Sequence, residues 1–382
     1  MKLIMFKSLV IVFLSVGILC LFLGSPLQAK EKPQEAMDHI LLFSLGILEK
    51  ALRSENAFIR SAAARAAGES EYSKLIPFLK KAAKDPYHTT RLFALQGIKK
   101  VSLDEARSLA IGMTRDLNAW VRGAAIEILG DLGDGKSGNI IRPHLKSADR
   151  AVRYAAAGAL FKLGDRSELG VLLDGLSGGN STDRYQAIGY LGKIGTEEVI
   201  PYLEGLLDGD EDEIVFYSLK AIGKNVNQGI LPQLTYLTRH RNPSLRYQSA
   251  LILGELGGVS GLETLRSLCS DKDPMVRLSA AVALTKKGSN DCREVFSGTI
   301  NDADYGIRST TARILGELEF PDRVRLLSVA LTDKNIRVRT SATRAAGMMG
   351  GAKAFPLLLK KLEDSQEVVR TYAAGNLIKL MK

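Results

Sequence analysis

Acid–base, metal or nucleophilic chemistry needs titratable side chains that converge. This sequence of 382 residues offers few. Its four histidines, His39, His88, His144 and His240, stand far apart in the chain, in different units and at different places of the repeat described below, so they do not converge on one metal ion. The acidic run Asp208, Asp210, Glu211, Asp212 and Glu213 resembles the start of a calcium loop. Glu213 stands where the tight-turn glycine belongs, and no bidentate glutamate follows at the right distance, so the run reads as a solvated loop. Cys269 and Cys292 fall at the end of one outer helix and the start of the next parallel one, about 12 Å apart along the axis. They are expected not to pair and to serve as packing residues. No catalytic residue, cofactor site or metal site is assigned.

The remaining conspicuous charge is a ladder of arginines, and it discloses the organisation. Arg60, Arg91, Arg122, Arg153, Arg184, Arg246, Arg277, Arg308, Arg339 and Arg370 follow one another in steps of 31 residues or, across Val215, of twice 31. Val215 alone departs from arginine, and no insertion or deletion breaks the eleven units. Three residues after this anchor every unit has a small residue (Ala63, Ala125, Ser218, Thr311), and seven after it an apolar one (Ile98, Leu160, Leu253, Leu377). Offsets of −1, +3, +4 and +7 share one stripe of an α-helix. Asn56, Asn118, Asp149, Asn180, Asn242, Asp273, Asp304 and Asn335 stand four residues before the anchor as N-caps. Gly133, Gly164, Gly195, Gly257, Gly288 and Gly350 follow eleven after it, where left-handed stops belong. Nineteen past the anchor an apolar residue marks a second helix, as at Leu79, Ile141, Leu203 and Leu265, with Pro77, Pro201, Pro232 and Pro356 placed in its first turn.

Two amphipathic helices per period cannot bury their apolar faces alone and must stack on their neighbours. The predicted fold is all-α, an α-solenoid of about eleven 31-residue helical hairpins over residues 40–382. At neighbour spacings of about 8–10 Å it would be a curved rod on the order of 100 Å long. Its first helix carries Ile40, Leu41, Leu42, Phe43, Leu45, Ile47, Leu48 and Leu52, too many apolar residues for a free end. A membrane surface, a partner, a second copy, or residues 27–37 folding back would have to cover it.

Those anchors, with Asp and Arg six apart at Asp85/Arg91, Asp116/Arg122, Asp271/Arg277, Asp302/Arg308, Asp333/Arg339 and Asp364/Arg370, resemble the HEAT-like repeat family in the short form named after phycobilisome lyases. The resemblance implies a superhelix whose second helices line the concave side. It leaves the ligand open, because the family hosts scaffolds, chaperones, lyases and metal oxygenases. Iron-binding members hold their metal with His-Glu pairs, and no His-Glu dipeptide occurs here. The ladder lies beside the core stripe and is expected to pair its guanidinium with a loop aspartate and helix-end carbonyls rather than with a ligand.

On such a helix, offsets +1, +2 and +5 face away from the core stripe. Four successive units carry Tyr154, Tyr185, Phe216 and Tyr247 at +1, and three carry Gln186, Tyr217 and Gln248 at +2, with Gly158 and Gly189 leaving space at +5. These residues are the candidate protein-binding strip, read either as a peptide groove or as packing between helices. Rings with polar tips give contact area at low entropic cost, and amides can bond a peptide backbone. The net charge of +10 concentrates at the two ends, with a slightly acidic middle. A nucleic-acid binder should be basic along its length, so that class is set aside. At the N-terminus Lys2 and Lys7 precede an uncharged run from Ser8 to Gly24, and Ser25-Pro26-Leu27-Gln28-Ala29 leads into Lys30-Glu31-Lys32. Residues 1–29 read as a signal peptide or a retained N-terminal anchor, residues 30–39 as a linker, and the rest as exported to the periplasm or cell surface. The expected function is a non-enzymatic scaffold or adaptor that holds a protein or extended peptide on its concave face, without cofactor, and close to the membrane through its N-terminus. A lyase-like or protein-modifying enzyme on the same scaffold is the alternative.

Overall fold

The computed structural model describes residues 33–382 apart from 179 and 224. Residues 1–29, read above as a signal peptide or retained anchor, lie outside the described residues. Among the described residues there are helices and turns and no strand. The repeat is laid down as two alternating sets of helices. After α1 (Pro33–Leu52), the second helices of the hairpins are α2 (Ala57–Ser70), α4 (His88–Val101), α6 (Ala119–Asp131), α8 (Arg150–Lys162), α10 (Ser181–Ile194), α12 (Asp212–Ile222), α14 (Pro243–Leu256), α16 (Pro274–Lys286), α18 (Tyr305–Leu315), α20 (Ile336–Met349) and α22 (Glu367–Met381). Between them run the shorter α3 (Ile76–Ala82), α5 (Leu103–Met113), α7 (Ser137–Ile141), α9 (Leu169–Leu176), α11 (Ile200–Glu204), α13 (Leu231–Leu237), α15 (Val259–Leu268), α17 (Glu294–Ile300), α19 (Arg323–Leu331) and α21 (Gly351–Lys361). The all-α repeat solenoid expected from the period is therefore the fold. Residues 33–39, read as linker, are the first two turns of α1, with Ala36 fully buried.

Each periodic position does what its chemistry dictates. All eleven small residues at +3, from Ala63 to Ala373, are fully buried, and so are all eleven residues at the second-helix mark, from Leu48 to Leu358. The eight predicted N-caps all accept a bond from the first turn of their helix. The six predicted stop glycines have positive φ. Pro77, Pro201 and Pro232 open their helices, whereas Pro356 lies inside α21, which starts a turn earlier at Gly351.

The second helices approach one another in pairs. A Cβ on Gly68 would lie 2.4 Å from Cα of Gly97, one on Gly130 would lie 2.6 Å from Cβ of Ala159, and one on Gly254 would lie 2.4 Å from Cβ of Ala283. Gly192 against Ala221 and Gly316 against Ala345 repeat the contact at 2.7 Å. These glycines stand eight residues past the anchor and face the residue six past the anchor of the next unit; Gly223 and Gly347 hold the same position, and a Cβ on Gly347 would overlap the Asn376 amide.

The chain forms two compact units: residues 33–101, 312–317 and 321–382 make one, and residues 102–311 with 318–320 make the other. In the first, α22 packs on both α1 and α2. The chain's first and last helices thus meet within this unit, a contact not among the four covers expected for α1, and Leu42 and Phe43 stay exposed, at 65% and 48%. A Cβ on Gly375 would lie 2.7 Å from the Ala66 carbonyl oxygen. Arg344 grips Glu69 with Nη2 to Oε1 at 2.6 Å and Nε to Oε2 at 3.3 Å, and Arg65 adds a third donor at 3.0 Å. Lys379 and Lys382 reach the Glu71 carboxylate at 3.4 and 3.1 Å. Glu71 occupies the helix-stop position where other units place glycine, and it holds a left-handed φ of 53°. Such a backbone costs about 1 kcal/mol without glycine, an amount the two lysines help to offset.

Candidate protein-binding surface

The arginine ladder is structural, as expected, with one refinement. Eight of the arginines, from Arg60 to Arg339, donate Nη1 to two carbonyls of the turn that precedes their own helix, at distances between 2.5 and 3.2 Å. In three of them the aspartate partner belongs to the following repeat: Arg60 pairs with Asp85, Arg246 with Asp271 and Arg339 with Asp364, each through Nε and Nη2. The same aspartates cap their own turns, Asp271 Oδ1 accepting from the Asp273 N–H at 2.8 Å. Burial raises the Asp271 carboxyl, but the Arg246 guanidinium and the turn N–H more than offset it and hold the group below its ordinary range. The ladder is a mortar between hairpins.

The structure divides the aromatic strip. Tyr154 is 6% exposed and its hydroxyl occupies space that a Cβ on Gly175 of α9 would need, so the ring fills the seam between helix sets. Tyr185 and Tyr217 lie with centroids 4.4 Å apart, tilted at 31°, and Phe216 meets Tyr217 edge-on at 5.5 Å. These three rings are partly buried against the core of α8 to α14. Tyr247 packs against a separate core cluster that includes Leu253, Leu265 and Ala280, as do Cys269 and Cys292. The Gln186 side-chain oxygen is out of solvent without a partner among the described residues, and Gln248 borders a small cleft of about 150 Å³ between α14 and α16. Tyr185, Phe216 and Tyr217 come together; Tyr154 is part of the core they pack on, with its own ring contact to Tyr190, while Tyr247 and Gln248 line other clusters.

A second constellation on this face escaped the offset reading. The Tyr190 ring lies 6.5 Å from Tyr154, under the Lys193 ammonium at 4.3 Å. Lys193 in turn bonds Glu127 at 2.6 Å, reaching from α10 to α6 across α8. The reach is possible because α8 presents Gly158 there, close beneath the Tyr190 ring. Burial, followed by the Glu127 charge and hydrogen bond, pushes the Tyr190 hydroxyl far above its ordinary range, so it acts as a donor at every physiological pH. Offsets +5, +6 and +9 carry this cluster. The +9 positions also pair Lys162 with Asp131 at 2.8 Å and Lys286 with Glu255 at 3.4 Å. The signal was thus a charge period at +9.

Cys269 and Cys292 form a disulfide, with their Cα atoms 5.8 Å apart. The expectation that they could not pair assumed ideal, equally long helices. Helix α17 has only seven residues and begins after Cys292, which turns into the left-handed region at φ 65° and sits at the level of the α15 end. His39, His88, His144 and His240 lie on α1, at the start of α4, in the turn after α7 and in the loop before α14, so they do not converge. Burial, with Arg122 and Arg115 nearby, lowers the His144 pKa. Among the described residues no group of three or more His, Cys, Asp or Glu is placed to hold a metal, and no helix is long and apolar enough to cross a membrane.

The model of the family described as HEAT repeats matches residues 106–187, 141–223, 230–295 and 293–378. Among solved structures the chain is similar to an engineered protein, at 17% identity over 89% of this chain and 99% of that one, with a TM-score of 0.31. It is also similar to human deoxyhypusine hydroxylase, at 16% identity over 74% and 98% of the two chains and a TM-score of 0.29. A third likeness is to the complex of CpcE and CpcF of phycocyanin lyase from Nostoc sp. PCC7120, at 21% identity over 58% and 92% and a TM-score of 0.35. No curated protein matches. With the eleven-fold register, the arginine mortar and the family match in agreement, the chain belongs to the HEAT-repeat family.

Proposed function

We propose that this protein is a non-enzymatic adaptor of the cell envelope that holds a protein or an extended peptide on the face formed by its second helices. The observation that carries the reading is the run of polar-tipped rings on α10 and α12. Tyr185, Tyr217 and Phe216 form a preorganised aromatic platform, and Tyr190, Lys193 and Glu127 add a donor and both charges beside it. Rigid rings at the centre of a contact give binding energy with little rotamer loss, and the charges around them fix register. Export draws support from the N-terminal Lys2, Lys7 and uncharged run, and from the Cys269–Cys292 disulfide, a linkage that persists in oxidising compartments.

The test is Tyr185→Ala combined with Tyr217→Ala in the full chain, with a photo-crosslinker placed at the exposed Gly189 of α10. The parent should give a discrete adduct in envelope fractions of the native host. The double variant, melting within a few degrees of the parent, should lose at least tenfold of it. An undiminished adduct at equal stability refutes the reading.

A further inference from the structure

One rung of the ladder is missing, and the gap is open. Unit six has Val215 where ten units have arginine, and His240 where the following repeat would supply the paired aspartate. Both halves of one ion pair are gone together. His240 keeps the capping half of the aspartate's work, its Nδ1 accepting from the Asn242 N–H at 3.2 Å as Asp271 accepts from Asp273. It offers no carboxylate to a cation. Valine supplies neither donors nor the volume of a guanidinium.

What remains is a cavity of about 300 Å³. Gly209 and Asp210 line it, and their carbonyls are the two that an arginine at position 215 would bridge. Among the described residues no side chain donates to either carbonyl, whereas eight other repeats fill the equivalent pair with Nη1. Asp208 and Asp212 add carboxylates to the wall. Neither Asp208 nor Asp210 has an ion-pair partner among the described residues, and Asp212 is held by Asn242 at 2.9 Å. Gln233 also lines the cavity, and its side-chain oxygen, itself out of solvent, has no partner among the described residues. Arg241 and, when protonated, His240, whose Nε2 lies 3.8 Å from Asp212 Oδ1, are the cations on the wall, against three carboxylates. At the rim stands Tyr236, 71% exposed, with a ring face able to lie over a flat cation.

We infer that this cavity is a socket for a guanidinium from outside the chain, an arginine side chain of a partner protein that takes the place of the missing rung. A guanidinium has the five in-plane donors that two carbonyls, free carboxylates and an amide oxygen call for, and its faces stack on tyrosine. An ammonium could satisfy the charge but not the fork or the stack. The inference is independent of the inner-face reading, since it uses none of those residues.

The probe is Gly-Arg-Gly amide titrated into the full chain by calorimetry or NMR, beside Gly-citrulline-Gly amide, its neutral counterpart of the same shape. The arginine peptide should bind at least tenfold more tightly. Val215→Arg with His240→Asp rebuilds the internal rung; it should fold at least as stably as the parent and lose tenfold or more of arginine-peptide affinity. If that pair fails to fold, Asp208→Asn with Asp210→Asn, at exposed positions, should weaken binding about tenfold. Equal binding of the two peptides, no binding of the arginine peptide, or undiminished binding by the folded variants overturns the inference.

Discussion

Two seams of the same unit join helices by different means. Between α2 and α4, neighbours in the chain, backbones touch through Gly68 and Gly97, Ser61 and Thr90 share a buried hydroxyl bond of 2.9 Å, and Arg60 clamps Asp85. Between α22 and α2, at opposite ends of the chain, Gly375 again lets backbones approach, but Arg344–Glu69 and the two lysines on Glu71 are added. A connecting turn already fixes the register of the first seam. The second must find its register from side chains alone, across a sequence separation of 275 for Arg344 and Glu69. Directional charge supplies that where small residues would let helices slide.

The comparison can be broken most severely at the covalent seam. Gly68→Val puts a Cβ 2.4 Å from Cα of Gly97, backbone that cannot yield, and should cost about 3 kcal/mol in urea denaturation. A loss below about 1 kcal/mol would mean that these helices separate easily.

At the closing seam Glu69→Ala leaves a half-buried guanidinium without its carboxylate and should cost about 2 kcal/mol. The loss should appear as faster hydrogen exchange in α1 and α22, with the α2–α4 contact little changed. Equal acceleration in both would erase the distinction.

Acid gives the mildest test. Burial raises the Glu69 carboxyl, but Arg344 and then Arg65 outweigh it, so the folded group titrates below the ordinary range. A depressed carboxylate contributes its stability above its unfolded pKa of about 4.3 and loses it as pH falls through the folded value. Asp85 at the other seam, where burial is likewise outweighed by Arg60 and the Tyr87 N–H, follows the same sign. The discriminating result is that Glu69→Ala destabilises less at pH 3 than at pH 6. A constant difference would show that Glu69 contributes no charge to closure.

The sequence displayed its period more clearly than its pairing. The arginine step, the capping Asn and Asp residues and the stop glycines act within a few residues of one another, so local chemistry disclosed them. The +8 glycines were equally visible, but which of them admits a neighbouring backbone depends on the residue that faces it at +6 of the next unit. Closure of α22 on α2 depends on Glu69 and Arg344, ordinary surface types whose meeting no local rule dictates. The disulfide was missed because helix lengths were taken as uniform. Of the strip, the helical wheel correctly gathered Tyr185, Phe216 and Tyr217 but could not tell that Tyr154 turns toward Gly175, since that depends on the neighbouring helix.

The glycine joints also limit how such a chain can lengthen or shorten. A hairpin spliced in after α2 would have to present an equally bare residue where Gly68 now meets Gly97, or the two backbones would be forced apart. Growth by duplication is therefore selective about which neighbour a copied hairpin lands beside.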